Sequence, residues 1–143
     1  MKKTGKSPLN EILREAGFRA TPGKIAILEA LFKADQPLTI AEISKKLKNN
    51  LDQTTLYRTI QSFVEEKIAR ALNFNDRSIR YESLIDAPHH HHVICKKCNY
   101  VEDVDICGAN LEKLALVKSK SFKAIESHAV ELFGTCNNCL KKN

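Results

Sequence analysis

The sequence predicts an α+β chain with two parts, a winged helix-turn-helix first and a small α/β domain after it. Three observations carry this reading. Four segments with helical apolar spacing fill most of residues 9–64, and two short strand-like runs around a turn follow them. Beyond residue 89 the pattern changes to short strands with one helix between them. Cys-x-x-Cys then occurs twice in that second part, at Cys95 and Cys98 and at Cys136 and Cys139, with 37 residues between the pairs.

The helices have clear punctuation. Ser7-Pro8 offers an N-cap and an N1 proline for a first helix with Leu9, Ile12, Leu13 and Ala16 on one stripe, and Gly17 stops it. Thr21-Pro22 repeats the start signal before Ile25, Ile27, Leu28, Leu31 and Phe32. Thr39 caps a third helix, and Glu42 at the N3 position completes a capping box. Asp52 caps a fourth, with Leu56, Ile60, Phe63 and Val64 inward. The runs 69–74 and 78–83, around Asn75-Asp76-Arg77, read as a hairpin. The expected division is a first domain over residues 1–83, a linker over 84–88 and a second domain over 89–143. In the second domain strands are expected at 91–96 and 101–105, a helix at 109–118 and a last strand at 123–133. Lys141-Lys142-Asn143 is expected to fray.

At 143 residues, halves of about 70 residues would each be marginal alone, so a metal staple or a dimer interface is expected to help. No apolar run approaches the ~20 residues that span a bilayer, and the basic stretch Met1 to Pro8 has no apolar run after it. The sequence therefore predicts a cytoplasmic chain with no membrane partner, in which paired cysteines ligate metal rather than form disulfides. The net charge of +6 is uneven. Residues 1–85 hold 15 Lys and Arg against 10 Asp and Glu; residues 86–143 hold 8 against 7. The first half is thus the candidate for a polyanionic partner.

Four thiolates in two short-span pairs suit one tetrahedral zinc ion. A redox dithiol is the rival reading, but it needs one pair opening a helix rather than two pairs flanking an α/β unit. Cys107, left over, is expected to be a small buried hydrophobe. The run His89, His90, His91, His92 cannot join a filled four-cysteine site, so it asks for a second metal. Side chains alternate along a strand, so His90 and His92 are expected on one face and His89 and His91 on the other. Glu82, Glu102 and Asp103 are acidic donors near in sequence, and Glu102 and Asp103 are expected to serve opposite faces. Imidazole with carboxylate suits Fe(II), Zn(II) and Mn(II) alike. Imidazole must be neutral to bind, so occupancy is expected to fall below about pH 6.

Gln53-Thr54-Thr55-Leu56-Tyr57-Arg58-Thr59 opens the fourth helix with hydroxyls, an amide, an aromatic ring and an arginine, groups that bond phosphates and base edges of double-stranded DNA. Lys45, Lys46 and Lys48 end the preceding helix. Arg77 and Arg80 lie on the hairpin, where a wing would touch the DNA backbone. Two other classes fit parts of the pattern: a constitutive zinc-ribbon nucleic-acid binder, and a zinc hydrolase with Glu102 as base. The hydrolase lacks a recognisable nucleophile or substrate motif.

From about residue 9 to 140 the chain resembles the ferric uptake regulator (Fur) family of metal-dependent repressors. The resemblance rests on Ala20-Thr21-Pro22-Gly23-Lys24 with Ile27-Leu28, on Thr55-Leu56-Tyr57-Arg58 followed by Phe63, on His89 to His92 with Val93-Ile94-Cys95-Lys96-Lys97-Cys98, and on Ser127-His128 with Leu132-Phe133-Gly134-Thr135-Cys136. It implies a winged helix joined to an α/β dimerisation domain with a four-cysteine zinc site, and a homodimer that binds AT-rich palindromic operators when the sensed metal is present and blocks transcription. It implies a regulatory site of Glu82, His90, His92 and Asp103, and a further site of His89, His91 and His128 with a carboxylate. The family's carboxylate position falls at Asn110, and Glu112 is the nearest acid. It also adds Lys24 to the DNA-contacting set of Gln53, Thr54, Thr55, Tyr57, Arg58 and Arg77. Many iron and peroxide sensors of the family carry a histidine just before the third helix; that position here is Pro37. A peroxide-stress sensor of the same family is the second reading, and the sensed metal stays open among iron, zinc and manganese.

Overall fold

The computed structural model describes residues 8–74, 77–87, 89–106 and 111–142. They belong to two compact units, Met1–Ala87 and Pro88–Asn143.

In the first unit four helices precede a hairpin: α1 (Leu9–Glu15), α2 (Pro22–Phe32), α3 (Ile40–Lys46), α4 (Gln53–Glu65), β1 (Ala69–Asn73) and β2 (Ile79–Ser83). Most of the expected caps form. Thr21 accepts a hydrogen bond from the Lys24 amide, with Pro22 at N1. At α3 the Glu42 amide donates to the Thr39 hydroxyl at 3.2 Å, while the Thr39 amide donates to the Glu42 carboxylate at 2.7 Å. The Asp52 carboxylate accepts from the Thr55 hydroxyl and amide, which hold its pKa below the usual carboxylate value. One start signal is corrected. Pro8 is extended and stands at the N-cap of α1 rather than N1, with no side-chain cap, and Ser7 lies outside the described residues. Gly17 has φ +80°, a left-handed conformation that costs glycine little, and α1 ends there.

The inward stripes of these elements meet in one core of Leu13, Ile27, Leu28, Leu31, Ile43, Leu56, Ile60, Phe63 and Tyr81, with Phe18 set edge-on against Phe63 at 5.3 Å. The hairpin is antiparallel from Ala69 opposite Ser83 to Asn73 opposite Ile79. Leu38 adds a bridge to Tyr81 through two backbone hydrogen bonds, which fixes the wing to the segment before α3. The expected turn residues Asn75 and Asp76 lie outside the described residues. Of the expected linker, the Leu84 amide donates to the Ile68 carbonyl and Ile85 is part of the core, so both are tied to this unit; Pro88 lies outside the described residues. Thr39→Ala removes an N-cap and half of a capping box. The expected loss is about 1 kcal/mol, a fall of roughly 4–8 °C in the melting midpoint of a domain this size, read by circular dichroism.

The second unit holds β3 (His91–Cys95), β4 (Val101–Val104), α5 (Leu111–Lys118), β5 (Glu131–Gly134) and α6 (Asn137–Leu140). The sheet order is β4-β3-β5, with β4 antiparallel and β5 parallel to β3. The last strand is much shorter than the sequence suggested. Register pairs His92 with Glu131 and β3 begins at His91, so residues 123–129 have no strand beside them to bond. The helix α6 was not anticipated; Cys136 is its N-cap. Cys107, Asn110 and Asn143 lie outside the described residues. Burial is thin in this unit. Ile94, Cys95, Val101, His91 and His92 are buried, whereas α5 buries no residue and exposes Leu111, Leu114 and Val117.

Candidate functional site

The first cysteine pair sits where β3 meets a tight turn. The Cys95 amide donates to the Tyr100 carbonyl, the Asn99 amide donates to the Cys95 carbonyl, and Asn99 takes φ +58°. The second pair departs from the expected strand-end turn, since Cys136 opens α6 and Cys139 lies within it. All four sulfurs come together, each within 4.8 Å of the others, and the Cys98 and Cys136 sulfurs are 3.7 Å apart. A tetrahedron of thiolates at ~2.3 Å from zinc has an edge of about 3.8 Å, so the cluster fits that ion.

The electrostatics agree. The Cys136 amide donates to the Cys95 sulfur at 3.4 Å and pulls that thiol down to about 6. At Cys98 the Tyr100 amide favours the thiolate, but the Cys95 sulfur and burial outweigh it and the thiol is pushed up. Cys139, facing the Cys98 and Cys136 sulfurs, is pushed up to about 12. Crowded sulfurs hold protons because adjacent thiolates repel, and a divalent cation relieves that repulsion. A cavity of about 560 Å³ lies beside the cluster, lined by Val93, Tyr100, Glu102 and Asn137 among others.

The four histidines divide into two groups, two residues apart along the chain in each. On one side the His89, His91 and His128 Nε2 atoms form a triangle with edges of 3.3, 3.1 and 3.2 Å. His128 arrives from the irregular segment before β5, and α5 brings Glu112 to it, with Glu112 Oε1 3.0 Å from His128 Nδ1. On the other side the His90 and His92 rings lie 4.9 Å apart, and Asp103, opposite His92 in the ladder, places Oδ1 3.5 Å from His92 Nε2 and 4.0 Å from His90 Nε2. Glu102 does not serve the other face as expected. It pairs with Val93, two residues along the strand from His91, and lines the cavity beside the cysteines; Glu112 meets the histidines instead. A sequence reading could have noticed that a helix ending two strands away can return an acid to this face, but not which acid. Glu82, in the first unit, sits opposite Arg70 in the hairpin, and its carboxylate is ion-paired with that guanidinium.

The face proposed for DNA is open. Gln53, Thr54, Thr55, Tyr57 and Arg58 are all exposed on α4, while Leu56, Thr59 and Ile60 point inward. The Thr55 hydroxyl donates to Asp52, so its first duty is the cap. Lys24 is half-buried, its ammonium 5.3 Å over the Phe18 ring. Arg77 is exposed at φ +64°. Arg80 differs from the expectation of a backbone-touching residue: its guanidinium packs 4.6 Å over the Phe74 ring and its side chain is largely covered.

A winged helix with an exposed polar helix face, followed by a unit of clustered thiols and imidazoles, defines a metal-binding DNA-binding protein. The family model described as "Ferric uptake regulator family" matches residues 15–133. The chain belongs to that family, and it is a metal-responsive DNA-binding transcriptional regulator. It is 30% identical over 135 residues to the peroxide operon regulator of Bacillus subtilis, covering 92% of this chain and 91% of that protein. It is 27% identical over 134 residues to the ferric uptake regulation protein of Campylobacter jejuni, covering 90% and 84%. The solved structure of the Helicobacter pylori ferric uptake regulator matches with a TM-score of 0.78 over 96% of this chain and 97% of that one, at 20% identity, a likeness of fold.

Proposed function

We propose that this regulator is a homodimeric, metal-dependent repressor of genes for metal uptake or homeostasis. Its structural zinc is held by Cys95, Cys98, Cys136 and Cys139, and its regulatory divalent ion, Fe(II), Zn(II) or Mn(II), by His90, His92 and Asp103 together with Glu82. The observation that carries the reading is the convergence of His90, His92 and Asp103 on one side of β3, a donor set separate from the cysteines. The resemblance supplies Glu82. That carboxylate is already ion-paired with Arg70, so metal binding has to compete with the guanidinium. When bound, the ion would hold its ligand side chains in one arrangement. Dimer half-sites must match the helical repeat of DNA, so fixing the spacing of the two α4 helices raises affinity.

The apolar residues exposed on α5, with Leu132 and Phe133 on the edge strand β5, are the surface that a second copy would cover. The operator is taken to be an AT-rich palindrome, in keeping with two equivalent α4 helices. The protein acts in the cytoplasm; among the described residues no helix is long and apolar enough to cross a membrane. An enzymatic role finds little support, because Glu102, the candidate base, stands apart from both histidine groups. Peroxide sensing is the second reading, favoured by the likeness to the Bacillus subtilis regulator and weakened by Pro37.

The test is fluorescence anisotropy with DNA from upstream of the protein's own gene. Protein with zinc only in the cysteine site is titrated anaerobically with Fe(II), Mn(II) and Zn(II) in turn. Binding that appears with one metal and reverses with a chelator is expected. Equal binding with and without every metal would replace the switch by constitutive binding.

A further inference from the structure

We infer that Arg70 sets the metal threshold of this regulator: its guanidinium is a rival cation for the Glu82 carboxylate, so the regulatory ion binds more weakly than the same ligands alone would hold it. The inference rests on the proposed reading that Glu82 is a ligand of that ion, and it names the residue that tunes the affinity.

Both groups lie in the hairpin of the first unit. Arg70 on β1 stands directly opposite Glu82 on β2. Successive strand residues point to opposite faces. Ala69 and Tyr81 belong to the core, so Arg70 and Glu82 share the other face, where Arg70 Nε and Glu82 Oε1 meet as an ion pair. The Glu82 side chain is 11% exposed and that of Arg70 28%. Solvent and salt therefore screen this pair much less than a surface pair. Arg80, two residues before Glu82 on the same face of β2, has its guanidinium over the Phe74 ring and 3.8 Å from Glu42, so it is engaged there.

A carboxylate serves a metal site by bringing negative charge to the ion. With a guanidinium upon it, Glu82 offers a neutral pair instead. Either the guanidinium leaves and its charge-assisted hydrogen bond is lost, or it stays and its positive charge repels the incoming ion. Both routes weaken the metal, so the sign of the effect is the same whichever is taken. A charge-assisted hydrogen bond corresponds to a factor of roughly 10–100 in an equilibrium constant, which sets the size expected. In the metal-free protein the same pairing keeps the buried Glu82 charge compensated. The site thus stays empty until metal exceeds a concentration that Arg70 raises.

The experiment uses the full chain with zinc retained in the cysteine site. Mn(II) binding is followed by the electron paramagnetic resonance of the free ion, and Zn(II) binding by competition with a chromophoric chelator. Arg70→Gln is expected to tighten the Glu82-dependent site about 10–100-fold. Arg70→Lys, which keeps the positive charge, should stay near the parent. In a Glu82→Gln background, changing Arg70 should alter nothing. Metal-free Arg70→Gln should melt below the parent and yet gain more from added metal; a residue that only supported the hairpin would lower the melting midpoint and weaken the metal together. Arg70→Met, which keeps the aliphatic stem, repeats the comparison if the glutamine variant fails to fold. Affinity that falls or stays level in Arg70→Gln and Arg70→Met, while Glu82→Gln weakens it, would overturn the inference and leave Glu82 a ligand. Affinity for both ions that ignores Glu82→Gln would remove Glu82 from the regulatory set and the inference with it. The metal concentration that half-saturates DNA binding should fall in Arg70→Gln by the same factor as the metal affinity rises. A parent whose DNA affinity ignores metal, with the Arg70 effect on metal binding intact, would sink the repressor reading alone.

Discussion

Replacing Cys95 with serine is expected to remove the bound zinc and with it the cooperative unfolding of the second unit. The reason lies in how little else holds that unit together. Among its described residues the buried apolar ones are Ile94, Cys95 and Val101, its helix α5 buries none, and its two edge strands have four residues each. A core of that size leaves a net stability near zero without a staple. Structural zinc in small domains contributes on the order of 10–16 kcal/mol of apparent binding free energy at pH 7, all of it folding free energy when the unfolded chain has no site. Cys95 also accepts the Cys136 amide, so the substitution weakens the link between β3 and the start of α6 even before metal is considered. Zinc content per chain should fall from about one to none, and the near-ultraviolet signal from Tyr100 should lose its thermal transition. A variant that keeps its zinc and melts within a few degrees of the parent would remove the four-cysteine assignment.

Acidity gives the same site a second signature. Cys98 and Cys139 are pushed up, so both thiols carry protons at neutral pH in the metal-free protein and must release them on binding. Each proton released adds about a tenfold rise in zinc affinity per pH unit, so these two thiols alone contribute about a hundredfold per pH unit at neutral pH. Cys95, held near 6, adds a third proton only when the pH falls below that value. Zinc retention should therefore be steepest on the acid side.

The first unit was legible because its signals are local. Thr21-Pro22, Thr39 with Glu42, and Asp52 each announce a helix start within four residues, and the apolar spacing assigns the inward face of α4. Ser7-Pro8 misled by one position, since the same dipeptide fits an N-cap at either residue. In the second unit the cysteine pairs and the alternation of His89 to His92 were equally local, and both carried through to geometry. What failed there depends on partners distant in sequence. The extent of β5 is set by where β3 begins, a strand distant in sequence, and residues 123–129 carry no mark of that. Glu102 and Glu112 are indistinguishable as acids near histidines; only the path of the chain through α5 brings one of them to His128. The side chain of Arg80 likewise reads as a free cation until Phe74 is seen beneath it.

His92→Ala is expected to abolish the metal response of DNA binding while leaving the zinc of the cysteine site in place. His92 is 2% exposed and lies opposite Asp103 in the ladder, so in the proposed regulatory site it is the donor most fixed by the sheet. A hundredfold metal effect on operator affinity corresponds to about 2.7 kcal/mol of coupling between the metal and DNA sites. Deleting one of three or four ligands removes more binding free energy than that, and the whole switch should vanish rather than shift. The exposed cations near α4 remain, so weak, salt-sensitive binding should persist and converge on the metal-free affinity of the parent. Because a buried imidazole replaced by methyl also leaves a cavity, Asp103→Asn is the companion test. Asp103 is more than half exposed, its substitution opens no void, and it should weaken the metal response in the same direction. If both variants respond to metal as the parent does, the His90, His92 and Asp103 assignment is wrong and regulation belongs to another donor set. If both lose the response with zinc content and circular dichroism unchanged, the histidines act on DNA affinity through the metal they hold.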